Sequence, residues 1–145
     1  MAVEIKINPI DFELSTAIGI DLPMMGSVGG LFQQTYFSID QALANARNLL
    51  LTNKGERIMQ PTLGCDLSNI LFENITEDLV TSIESNIRSS FNYWLPYIFI
   101  NELLVTPNED QNRINLKITI SLNGNATDTR SIQLEILNNS NTQYG

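Results

Sequence analysis

Apolar and polar positions recur along this chain with two different periods, and the change of period divides it. From residue 38 the spacing is helical: Ile39, Ala42, Leu43, Ala46 and Leu50 fall on one side of a helix. Ser38 followed by Gln41 has the form of a Ser-x-x-Gln capping box at its start. The helix is expected to close near Asn53, because Gly55 can take the left-handed conformation that ends helices. A short helix over Asp66 to Phe72, capped by Asp66, would put Leu67, Ile70 and Leu71 on one side. The longest periodic segment begins at Thr76, a capping residue followed by Glu77 and Asp78 at the positive end of the helix dipole. Leu79, Val80, Ile83, Ile87, Phe91 and Trp94 form its apolar stripe. Pro96 stops it, since a proline pushes the preceding residue out of helical geometry.

After Pro96 the period becomes two. Tyr97 to Thr106 reads as a strand apolar enough to be largely buried. Ile114, Leu116, Ile118, Ile120 and Leu122 alternate strictly with Asn115, Lys117, Thr119 and Ser121, so one face of that strand meets the core and the other meets solvent. A connector with Pro107, Asn108, Glu109 and Asp110 precedes this strand, and Asn123-Gly124, a hairpin signal, follows it. Ile132, Leu134 and Ile136 mark a third strand, and NNSNTQYG is a polar tail. Residues 1–37 differ from all of this: Val3, Ile5 and Ile7 alternate briefly, Pro9 follows, and Pro23 to Gly30 is rich in glycine.

The pattern therefore predicts an α+β fold, with two main helices packed on a small antiparallel β-meander and an extended N-terminal arm. Its divisions are an arm at 1–37, an α+β domain at 38–137 and a polar C-terminal tail at 138–145. The arm reads either as a flexible terminus or as a partner-binding segment. Three consecutive strands leave two open sheet edges, which invite pairing with another chain. Such an edge could equally be covered by the chain's own residues around Glu4 to Asn8.

Composition narrows the function. The 145 residues suit one domain, and 17% charged residues is low beside the roughly 25% of soluble proteins. Partners could cover some of this surface, or abundant Asn, Ser and Thr could supply its polarity. Sixteen acidic and eight scattered basic residues give a net charge of −8, which disfavours binding to nucleic acid through a phosphate-neutralising patch. No run of about 18 apolar residues and no basic start followed by an apolar stretch occurs, so neither a membrane span nor a signal peptide is expected.

The sequence has no histidine and one cysteine, which removes Ser-His-Asp and Cys-His catalysis and the usual zinc sites. Cys65 lies between Gly64 and Asp66, and the adjacent carboxylate discourages a reactive thiolate. The SVGGLF stretch lacks the lysine and hydroxyl of a phosphate loop. No cofactor, no metal and no catalytic residue is therefore assigned. Paired carboxylates remain the one enzymatic alternative: Glu56, Asp66, Glu73, Glu77 and Asp78 crowd one region, as a peptidoglycan-cleaving muramidase would need. The positive helix N-terminus explains Glu77 and Asp78, capping explains Asp66, and an ion pair with Arg57 or a hydrogen-bonded turn explains Glu56. Phe91, Tyr93, Trp94, Tyr97 and Phe99 concentrate where helix meets strand, too many to point inward together. Tyr93 and Tyr97 are candidates for a contact surface.

An ordered series at 38–76 is more specific. It comprises Ile39-Asp40-Gln41 at a helix start, Leu49-Leu50-Leu51-Thr52 at its end, Gly55-Glu56-Arg57, Pro61, Gly64, Leu67 and Leu71-Phe72. In this the chain resembles the baseplate wedge, or sheath-initiator, family of contractile phage tails. Some members carry a lysozyme-like description, and others occur in type VI secretion and related injection systems. The likeness continues more loosely to about residue 137.

It implies a structural, non-enzymatic role in a virion tail baseplate assembled in the host cytoplasm, with six copies around the tail axis. The implied partners are other wedge proteins, the tail sheath protein and tail-tube terminator or hub proteins; neither nucleic acid nor membrane is among them. The first sheath ring would form on the strands by β-strand addition. Partner-binding candidates are Leu95, Pro96, Tyr97, Ile132, Leu134 and Ile136, and Gly55, Glu56, Arg57, Pro61 and Gly64 form a structural turn. The family commonly carries Glu-Pro-Arg after the second helix, where this chain has Leu95-Pro96-Tyr97. The proline stop is kept and both charges are gone, so any contact here should be apolar and aromatic.

Overall fold

The computed structural model describes residues 13, 15–21, 34–70, 76–108, 113–122 and 128–137. The element order is β1 (Gly19–Ile20), β2 (Gln34–Thr35), α1 (Ser38–Leu51), α2 (Leu67–Ile70), α3 (Glu77–Trp94), β3 (Ile98–Asn108), β4 (Arg113–Leu122) and β5 (Thr129–Leu137). The expected Val3 to Ile7 strand, the glycine-rich run, Leu71 to Glu73, Glu109, Asp110, the Asn123-Gly124 turn and the tail lie outside the described residues.

The α3 helix forms as its sequence predicts. The Thr76 hydroxyl accepts from the Leu79 N–H at 3.2 Å, satisfying one of the four N–H groups that a helix start leaves over. Leu79, Ile83, Ile87 and Phe91 are buried; burying each such side chain contributes about 1.5–3 kcal/mol. At the far end Leu95 donates its N–H to the Phe91 carbonyl at 2.8 Å, and Ile98 donates to Leu95 at 3.0 Å. The chain thus turns through Pro96 directly into β3.

The α1 helix starts at Ser38, but the expected capping box does not form: the residue at the cap position is Phe37, without a side-chain bond. Gln41 is engaged elsewhere, accepting from the Thr35 hydroxyl at 2.6 Å and donating to Asn45 at 3.0 Å. The helix ends at Leu51, not near Asn53. Gly55 does take a positive φ of 91°, but within the turn that follows.

In the main sheet β4 lies between antiparallel β3 and β5. Ile114, Leu116, Ile118, Ile120 and Ile132 point into the core shared with both helices, with α3 over β3 and α1 over β5 and β4. A salt bridge from Arg130 to Asp40 at 3.3 Å joins β5 to the start of α1.

The expectation that the first strand is largely buried fails on one face. The register shifts between Ile100 and Glu102, so Asn101 is an extra residue in a β-bulge and the inward parity changes there. Ile98 and Ile100 face the helices before it, and Leu103 and Val105 do so after it; Phe99 and Leu104 are exposed. Pro107 and Asn108, expected in the connector, pair with Ile114 and Arg113. Proline is tolerated there because β3 is an edge strand. The arm contributes a second, two-stranded sheet in which Gly19 pairs with Thr35 and Ile20 with Gln34, and this sheet packs on α1.

Candidate functional site

Three places carry the candidate residues: the connector between α1 and α2, the α3–β3 junction and the outer edge of β5.

The connector is built mostly from backbone. Where α1 stops, the Thr52 carbonyl accepts from the Cys65 N–H at 3.2 Å, and further out the Gly55 N–H donates to the Pro61 carbonyl at 2.7 Å. Gly64, at φ +133°, is obligatory: a Cβ there would lie 2.3 Å from the Thr52 carbonyl oxygen. Asp66 also takes the left-handed region, at φ 54°. From α3, the Asn86 amide donates to the Cys65 carbonyl at 2.5 Å, and the buried Ser90 hydroxyl reaches the Gly64 carbonyl at 3.5 Å.

Glu56 and Arg57 do not pair with each other, because asparagines engage both. Glu56 accepts from the backbone and side-chain N–H groups of Asn53 at 3.0 and 2.8 Å, and Arg57 donates to Asn48 at 3.1 Å. The Asn53 bonds hold the Glu56 carboxyl below its ordinary pKa. That is the wrong direction for a general acid in glycoside cleavage, which needs a raised one. Burial pushes the Cys65 thiol up to about 11, against smaller opposing effects from Ser90 and Lys54, so Cys65 stays an un-ionised packing residue.

The connector also holds residues the sequence reading passed over. Ile58 and Met59 are 95% and 90% exposed at the loop tip. An Ile-Met pair between Arg57 and Gln60, inside a stretch bounded by Gly55 and Pro61, was the available signal.

At the α3–β3 junction Leu95 packs against the core while Pro96 and Tyr97 are exposed. Asn45 donates to the Tyr97 hydroxyl oxygen at 2.9 Å. With the Thr35–Gln41 and Gln41–Asn45 bonds, a polar chain runs from the arm's β2 across α1 to the junction. Tyr97 accepts in this polar chain, which leaves its O–H the capacity to donate. Tyr93 is 75% exposed and stacks edge-on with Trp94 at 4.9 Å. The aromatic cluster is therefore split, with Phe91 buried and Tyr93, Tyr97 and Phe99 outward.

At β5 the register with β4 runs unbroken from Thr129 to Leu137, and among the described residues no strand pairs with its other edge. Ile132 is only 1% exposed and belongs to the core; Leu134 and Ile136 are half-buried against it. Contact along this edge would run through backbone groups, not through the Ile132 side chain. On the solvent face of the sheet, an open depression of about 410 Å³ is lined by Leu104, Lys117, Gln133 and Glu135 among others. Its Glu135 is bound by Arg113 at 2.6 Å.

Comparison with known proteins gives three results. The family model described as baseplate wedge protein gp25 matches residues 38–127. Baseplate wedge protein gp25 of Enterobacteria phage T4 is 34% identical over 88 residues, spanning 61% of this chain and 67% of that protein. Two solved structures share the fold. A candidate tail lysozyme from Geobacter sulfurreducens matches at TM-score 0.61 and 23% identity, over 74% of this chain and 98% of its own. A chain of the anti-feeding prophage baseplate matches at TM-score 0.55 and 22% identity, over 83% of this chain and 84% of its own.

Proposed function

This chain belongs to the baseplate wedge protein gp25 family, and from that premise we propose that it links wedge proteins to the end of the tail tube and starts the sheath by β-strand addition at β5. Its role as a structural baseplate component follows from the family. The observation that carries the finer reading is the contrast between the two sheet edges. The β3 edge has a bulge at Asn101 and a proline at 107, both features that blunt an edge. The β5 edge has a regular nine-residue register, long enough to accept a strand through main-chain hydrogen bonds.

The junction supplies a second contact. In place of the charged pair that the family likeness implies, the exposed Pro96 and Tyr97 offer an apolar and aromatic surface, while Leu95 packs against the core behind them. Tyrosine suits such a contact because it combines apolar area with a polar tip. Leu134 and Ile136 lie on the strand proposed to make the contact, and the connector ties the end of α1 to α3. A muramidase reading gains nothing from the geometry, since Glu56 is acidified and exposed. The shared fold with a candidate tail lysozyme does not transfer an activity.

Deleting β5 would remove Ile132 from the core, so the test must leave the strand in place. Hydrogen exchange is measured on baseplates before and after sheath subunits are added. The amides of residues 129–137 are expected to slow by roughly tenfold or more; unchanged exchange there beneath a fully grown sheath would refute strand addition.

A further inference from the structure

We infer that the connector tip, Ile58-Met59 on a loop that also carries Lys54 and Arg57, is a preformed plug that seats in an apolar pocket with an acidic rim on a different baseplate protein. The inference rests on the baseplate reading but uses a surface separate from β5 and from the Leu95-Pro96-Tyr97 junction. Single exposed apolar residues are ordinary. Two adjacent ones at 95% and 90% exposure, on a loop held this firmly, are not.

The loop is closed at its neck by Gly55 N–H to Pro61 carbonyl at 2.7 Å, and at its tip by Gln60 N–H to Arg57 carbonyl at 3.2 Å. Asn53 clamps Glu56, and Asn48 holds Arg57. A tip fixed in this way loses little conformational freedom on docking, which favours affinity.

Charge selects the partner. The chain carries −8 overall, yet the loop from Lys54 to Gln60 has two exposed cations, Lys54 and Arg57, against one acid, Glu56. Such a tip is attracted to carboxylates around an apolar hollow. A second copy is a poor match: the depression on its sheet is lined by Lys117, and by Glu135 already bound to Arg113. An anionic membrane would be repelled by the rest of so acidic a chain.

The test places the photo-crosslinker p-benzoyl-phenylalanine at Met59, and separately at Ser131 on β5, and irradiates assembled baseplates. Met59 is expected to crosslink to a different baseplate protein, at a peptide with apolar residues beside Asp or Glu. The double variant I58S/M59S is expected to lower the copies per isolated baseplate by roughly tenfold or more, while its thermal midpoint in isolation stays at that of the parent. A Met59 crosslink to a second copy overturns the proposal. So does loss of that crosslink while Ser131 still gives one, and so does parental copy number in I58S/M59S. Binding of the purified chain to phosphatidylglycerol vesicles, abolished in I58S/M59S, would overturn it in favour of a membrane-inserting tip. If the parental chain is absent from isolated baseplates, the baseplate reading falls, and this proposal with it.

Discussion

The connector at 52–66 and the α3–β3 junction at 95–97 both follow a helix, but different parts of the chain hold them. In the connector, backbone groups bond to one another and three residues take positive φ: Gly55, Gly64 and Asp66. At the junction the proline turns the chain, and one side-chain bond from Asn45 holds the exposed residue Tyr97. Backbone-built loops tolerate few substitutions where the conformation is special and many elsewhere. A side-chain-built turn can exchange its outer residues as long as the proline that turns the chain is kept.

The contrast breaks most sharply at Gly64. Gly64→Ala places a Cβ against the Thr52 carbonyl at a left-handed φ, and should cost on the order of 3 kcal/mol or more. Urea unfolding with an unchanged slope would show it.

Next in size is the neighbouring thiol. The folded Cys65 thiol titrates near 11 against an ordinary value of 9.0, so the un-ionised thiol's contribution is fully present below pH 9 and is lost as pH rises through 11. Relative to Cys65→Ala, the parent should lose about 2–3 kcal/mol across that window, read as the difference between two stability profiles against pH.

Gly55→Ala sharpens the comparison from within the loop. Its φ is also positive, but an added Cβ meets nothing within 4 Å. The expected cost is therefore strain alone, about 1–2 kcal/mol, and a thermal midpoint between those of the parent and Gly64→Ala would show it. Smallest is Tyr97→Phe, which removes only the bond from Asn45 and should cost about 0.5–1 kcal/mol. Its larger effect should be on assembly, seen as fewer copies per isolated baseplate. Arg57→Ala, losing one exposed bond to Asn48, belongs in the same stability range and should leave any turbidity assay on peptidoglycan unchanged.

Much of this was legible in the sequence, and what escaped has physical causes. The Thr76 cap, the Leu79 to Phe91 stripe and the alternation of Ile114 to Ile120 each obey one dominant rule, and the structure follows them. Gln41 has the right spacing for a capping box, but Thr35 and Asn45 compete for its amide, and no local pattern reveals a partner brought in by the arm. Asn101 hides a change of parity, so a strand with two distinct faces looked buried on both. Glu56 and Arg57 are adjacent and opposite in charge, yet Asn53 and Asn48 are better placed to bond them. At the site, the junction and the β5 edge could be proposed from the likeness and the strand pattern. The Ile58-Met59 tip was marked only by an apolar pair inside a stretch bounded by Gly55 and Pro61, and its exposure needed the fold.

The central claim is that β5 is the edge on which the first sheath ring begins. A cryo-electron microscopy map of the assembled baseplate with its first sheath ring tests it most directly. A strand from a sheath subunit should run along Thr129–Leu137 at the ordinary interstrand spacing of about 4.8 Å. A β5 edge covered by this chain's own arm, or facing solvent beneath a complete sheath ring, would contradict it.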